Sequence, residues 1–213
     1  MKHLYKRLGL VAGIFLLIIY LVGIVGISIS SLRNDFVDLT PYTLLISALI
    51  LFAFHRKWNL RFIAVIVVIA LAGFVVEVLG VKTGVIFGEY SYGPVLGIKL
   101  EQVPLIIALN WLILIYCSYS IAGKLFRPAL PRIVLAAALM VGMDILMEPV
   151  AIALDMWTWE AAAPPLQNYA AWFGISFLFA GMINYLKIEV VNPLAVYLFF
   201  YMVMFFGVLN LTV

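Results

Sequence analysis

The stretch LAAALMVGMDILMEPVAIAL, residues 135–154, decides how this chain folds. A helix crossing the hydrocarbon core of a bilayer needs about 20 mostly apolar residues, and this run has that length and character. Within it, Asp144 and Glu148 stand one helical turn apart. A third acid, Glu77, lies in RFIAVIVVIALAGFVVEVLG, residues 61–80. An acid at that depth costs roughly 2.5–3.5 kcal/mol on insertion scales, so it marks a site rather than a filler position. Burial disfavours the charged form of a carboxyl, and a neutral carboxylic acid is a proton donor.

The rest of the chain agrees with a membrane reading. Of 213 residues, 67% are apolar and 11% charged, and the mean hydropathy is +1.20. A soluble domain carries about 25% charged residues. Seven spans are expected, at about 8–29, 39–54, 61–80, 103–123, 130–154, 168–187 and 192–212, forming an all-α bundle in a single domain over residues 1–213. The N-terminal apolar run is longer than the 7–15 residues of a signal-peptide core and reads as a retained first helix. Thr40 is suited to cap the second span with Pro41 at its first turn, and Asn192-Pro193 opens the last span in the same way. Gly9 and Gly13 form a small-xxx-small pair suited to close packing of the first helix.

Basic residues set the orientation. Lys2, Lys6, Arg7, Arg56, Lys57, Arg61, Lys124, Arg127, Arg132 and Lys187 fall on one side; Arg33, Lys82 and Lys99 fall on the other. The side richer in Lys and Arg is cytoplasmic, which places the N-terminus inside and the C-terminus outside a prokaryotic inner membrane. The basic residues are scattered, so nucleic acid is not an expected partner. Cys117 is the only cysteine and is expected to pack as a small apolar residue. Oligomeric state is left open.

Topology gathers the polar groups. The spans of Glu77 and Asp144 both run outward, with Glu148 ~6 Å further out than Asp144. Asn110 enters from the outer end of the fourth span, roughly 10 Å down. Two long outer connections, one carrying Tyr90-Ser91-Tyr92 and the other Trp157-Thr158-Trp159, are rich in Gly, Pro and aromatics and suited to folding over the bundle as a lid. Aromatic faces stabilise cations. Acids and aromatics in a dry pocket suit protonation of an electron-rich alkene, with the resulting tertiary carbocation captured by water or by an internal double bond. His3 and His55 lie at the cytoplasmic side, away from the acids, so a histidine-rich iron site is not available. No Cys/His zinc pattern, Gly-rich phosphate loop or serine elbow is present, and the last span has no Lys for a retinal Schiff base. No metal and no cofactor is expected.

The chain from about Glu77 to Trp172 resembles the membrane-bound carotenoid hydratases, which include archaeal bisanhydrobacterioruberin hydratases and bacterial carotene 1′-hydratases. The resemblance is carried by Glu77, by Phe87-Gly88-Glu89-Tyr90-Ser91-Tyr92, and by Val103-Pro104 leading to Asn110-Trp111. It continues in Asp144-Ile145-Leu146-Met147-Glu148-Pro149, in Trp157-Thr158-Trp159, and in Pro165-Leu166-Gln167-Asn168-Tyr169-Ala170-Ala171-Trp172. The family also looks similar to membrane lycopene cyclases and seven-helix terpene cyclases. The resemblance implies an enzyme of carotenoid biosynthesis, a cofactor-independent hydro-lyase adding water to the terminal 1′,2′ double bond of an acyclic carotenoid. It implies catalytic roles for Asp144, Glu148, Glu77 and Asn110, and substrate contacts from Tyr90, Tyr92, Trp111, Trp157, Trp159, Asn168 and Trp172. Two rivals stand beside it: a carotenoid or terpenoid cyclase using the same acid, and a non-enzymatic lipid or proton transporter or carotenoid-binding protein.

Overall fold

The structure is a computed structural model that describes residues 2–213; the side chains of Lys2, His3 and Lys6, assigned above to the cytoplasmic side, lie outside the described residues. The chain is mostly helical: α1 Lys2–Ser28, α2 Arg33–Val37, α3 Thr40–Ala53, α4 Leu60–Thr83, α5 Ile106–Leu125, α6 Ala129–Ala153, α7 Leu166–Tyr185 and α8 Leu194–Leu209. Among the described residues, five stretches are long and apolar enough to cross a membrane: Arg7–Ser28, Arg33–Ala53 (α2 and α3 together), α4, α5 and α6. Of the others, α8 is apolar but has 16 residues, and α7 interrupts its apolar run with Gln167, Asn168 and Asn184.

The expectation of an all-α chain needs amending. Among the described residues there are four short strands: β1 Tyr90–Tyr92, β2 Lys99–Leu100, β3 Val103–Pro104 and β4 Trp157–Trp159. β1 pairs antiparallel with β4, and β2 with β3. The β2–β3 hairpin turns on Glu101 and Gln102, both with positive φ (52° and 68°), the geometry of a two-residue primed turn. It takes Val103 out of the span expected to begin there, so the helix starts at Ile106.

Two helix-end expectations change in detail. Thr40 is the first residue of α3 rather than its cap, and no side chain caps that end, because α2 delivers the chain already coiled. Asn192 does satisfy the start of α8: its Oδ1 accepts from the Leu194 N–H at 2.9 Å, and its Nδ2 donates to the Leu51 carbonyl at 2.6 Å. Close packing of α1 falls elsewhere than at Gly9 and Gly13, where a Cβ would meet ordinary contacts of 3.6 Å. It falls at Gly26, where a Cβ would stand 2.2 Å from the Phe36 ring of α2.

The helix α5 is the axis. Every residue from Trp111 to Ser120 is buried, including Cys117, as expected for a helix that is apolar all round. Around it stand α3, α4, α6, α7 and α8, while α1 runs along α8. The outward faces of α1 and α4 present Leu10, Val11, Val67, Leu71 and Val75. A water-soluble surface would not be so continuously apolar.

Candidate active site

Glu77 sits on a face of α4 whose neighbours at i−4 and i+3 are Gly73 and Gly80. A Cβ at Gly73 would come within 2.9 Å of the Trp111 side chain, and one at Gly80 within 2.4 Å of the Phe87 ring. The two glycines therefore let large rings close over both sides of the acid. Three donors converge on it. The Tyr90 and Tyr92 hydroxyls donate to Oε2 at 2.5 and 2.8 Å, and the Trp111 indole N–H donates to Oε1 at 2.8 Å. Burial, with the Glu77 carboxyl beside them, holds both phenols well above the usual tyrosine range, so they remain donors.

Asp144 and Glu148 share a face of α6, with Met147 between them, and all three are buried. The helix runs unbroken through Pro149 and ends in a Schellman motif. Asp155 takes the left-handed conformation (φ 54°), the Met156 N–H bonds the Ala151 carbonyl at 2.9 Å, and the Asp155 N–H bonds the Ile152 carbonyl. This stop turns the chain back over the helix end, so β4 passes above the acids. The Trp157 and Trp159 indoles both donate to Glu148 Oε2, at 3.0 and 2.8 Å. Asn168 of α7 donates its amide to Asp144 Oδ2 at 2.6 Å. Among the described residues no donor reaches Glu148 Oε1 or Asp144 Oδ1, and the Asn110 amide has no partner. These are the polar atoms left for a ligand.

The lid follows from a period of two. Pairing sets Tyr90 opposite Trp159, Ser91 opposite Thr158 and Tyr92 opposite Trp157. The aromatic members face the bundle, and Ser91 and Thr158 meet each other on the exposed side at 3.3 Å. Tyr90 lies against Trp159 with ring centroids 5.0 Å apart, and Tyr92 against Trp157 at 6.1 Å. Gly93 lets the strands close: its N–H bonds the Met156 carbonyl at 2.9 Å, and a Cβ there would fall 1.7 Å from the Asp155 carbonyl oxygen. Gly93→Val is expected to open the ribbon while leaving the helices. Circular dichroism should keep its helical signal, and product formation should fall at least tenfold.

Beneath the lid lies a small cavity. Ten of the eleven residues singled out in the sequence line it: Glu77, Asn110, Asp144 and Glu148, with Tyr90, Tyr92, Trp157, Trp159, Asn168 and Trp172. Trp111 does not. It is fully buried behind the wall, stacked on Trp172 at 4.1 Å and braced edge-on by Phe179. Phe87, Ile107 and Met147 complete the lining without having been anticipated. Helical spacing points to two of them: Met147 follows Asp144 by three residues, and Ile107 precedes Asn110 by three.

Comparison with known proteins places the chain in a family. A model of the carotenoid biosynthesis protein family matches residues 39–213, and the chain belongs to that family. It is also similar to a bisanhydrobacterioruberin hydratase from Haloarcula japonica, with 29% identity over 115 residues. That match covers 50% of this chain and 39% of the relative. No solved structure matches the chain.

Proposed function

We propose that this chain is a carotenoid hydratase of the cell membrane, acting on the terminal 1′,2′ double bond of an acyclic carotenoid. The observation that carries the reading is the donor-free oxygen on each of Asp144 and Glu148, two acids that line a small cavity roofed by electron-rich rings. The substrate tip enters beneath Trp157 and Trp159. Asp144, the deeper acid, gives its proton to C-2′; the carboxyl O–H bond breaks as the C–H bond forms. The tertiary cation left at C-1′ lies against Tyr90, Trp157 and Trp159, whose faces stabilise it. Water held by Glu148 and Asn110 adds to C-1′, and its released proton returns a carboxylate to the acid form. The sum is alkene plus water giving a tertiary alcohol, balanced without any redox step.

Glu77 has a different part. With three donors already on it, it anchors Tyr90, Tyr92 and Trp111 and so shapes the wall that the cation meets. The orientation that suits this arrangement has seven spans with α7 and α8 included, the N-terminus cytoplasmic, and the lid at the outer face.

Cyclisation would use the same acid and cation, with an internal double bond in place of water. Membranes holding the protein, incubated with an acyclic carotene in ¹⁸O-water, separate the two. One labelled hydroxyl per converted end is expected. A cyclic product without label removes hydration, and recovery of unchanged carotene from folded protein removes both.

A further inference from the structure

A second cavity adjoins the acid site. It is narrow and partly open, and it shares four lining residues with the first, Ile107, Asn110, Met147 and Trp157. From that junction it extends between α1, α3 and α8, and its walls are almost wholly hydrocarbon and aromatic. The Tyr20 hydroxyl on this path is already paired with Ser47 at 3.2 Å. Gly23 keeps the channel clear beside Phe205, since a Cβ there would stand 3.1 Å from that ring. Gly23 on one wall and Thr43 and Leu44 on the other are only half-buried, because α1 leans along α8 and meets α3 lightly. The seam between α1 and α3 is thus where the groove meets the surrounding bilayer.

We propose that this groove is the binding track for the polyene chain of the substrate, which enters from lipid between α1 and α3 and presents its end to the acids at the Asn110–Trp157 junction. The proposal rests on the alkene-protonation reading of the acid cavity. That cavity is small, lies beneath the lid and is lined from α4 to α7, with room for a chain end only. A rod of conjugated hydrocarbon must continue into an apolar space, and this groove is the apolar space that opens on Asn110 and Met147. A phospholipid acyl tail would match the lining but has no reason to end at two carboxyls.

Two measurements test it. In the first, protein is isolated from lycopene-producing cells and retained pigment per mole is read by absorbance, together with product formed. Gly23→Leu and Thr43→Trp are expected to lower retained lycopene at least tenfold. Asp144→Asn should keep the pigment and lose the product, and Leu71→Trp on the lipid face of α4 should change neither. Groove variants as monodisperse as Leu71→Trp that still retain pigment overturn the groove while leaving the acid reading intact. Full conversion by both Asp144→Asn and Glu148→Gln sinks the acid reading whatever the groove variants do. In the second, Thr43→Cys, a small change, is labelled with a maleimide; Cys117 is buried and adds little background. Lycopene should slow labelling at least fivefold over dioleoyl phosphatidylcholine alone. Equal rates with and without lycopene, or equal protection by the phospholipid, overturn the proposal.

Discussion

Asp144→Asn should abolish conversion while leaving the site standing. Asparagine keeps the shape of the aspartate side chain, and its amide oxygen still accepts the Asn168 amide that Asp144 receives at 2.6 Å. What is lost is the acidic O–H. Proton transfer from a positioned side chain contributes about 10²–10⁴-fold to rate, so turnover should fall by that order. Glu148→Gln is the matching control. Its amide oxygen can keep both tryptophan donors, and its loss of activity should be smaller if it holds water instead of giving the first proton. Product yield over time from membranes of equal protein content measures both. Undiminished conversion by both variants would sink proton donation from this helix.

Glu77→Ala should act on stability before chemistry. Removing the carboxyl strands the hydroxyls of Tyr90 and Tyr92 and the indole N–H of Trp111 in a buried place. An orphaned buried donor costs about 1–3 kcal/mol in water-soluble proteins. Within a bundle in lipid the average is nearer 0.6, because the unfolded segment also finds partners. A total of about 2–4 kcal/mol follows for three donors, partly within and partly above the bundle, or about 5–10 °C in Tm for a chain of this size. Tyr92→Phe, which deletes one donor and strands nothing, should lower Tm far less. Thermal unfolding in one detergent compares them. Equal melting of Glu77→Ala and wild type would show that the three donors find other partners and that Glu77 does not anchor the wall.

Much of the site was legible because it is carried by local pattern. Asp144 and Glu148 are anomalies of burial, and helical spacing alone puts them on one face. Tyr90-Ser91-Tyr92 and Trp157-Thr158-Trp159 place paired rings in two outer connections near the acids, but that these segments are strands with a dry side and a wet side was not read. Their pairing with each other was not legible, since it depends on how the ends of α4 and α6 lie together and on a close approach at Gly93 that a single glycine does not announce. Trp111 was misplaced for a related reason. Its neighbour Asn110 faces the cavity, and a step of one residue turns a helical side chain by about 100°, enough to put the ring behind the wall. One of the polar residues in α7 belongs to the site: Asn168 breaks the apolar run and donates to Asp144.

The two acid-bearing helices are each followed by a strand whose rings return to the acid of their own helix, phenols to Glu77 and indoles to Glu148. The two halves differ in what those rings can pass on. An indole N–H only donates and keeps its hydrogen, so Trp157 and Trp159 can orient Glu148 but cannot carry a proton away from it. A phenol both donates and accepts, so Tyr90 and Tyr92 can hand one hydrogen on as they take another. One half of the roof can only orient its acid, while the other carries groups able to relay a hydrogen.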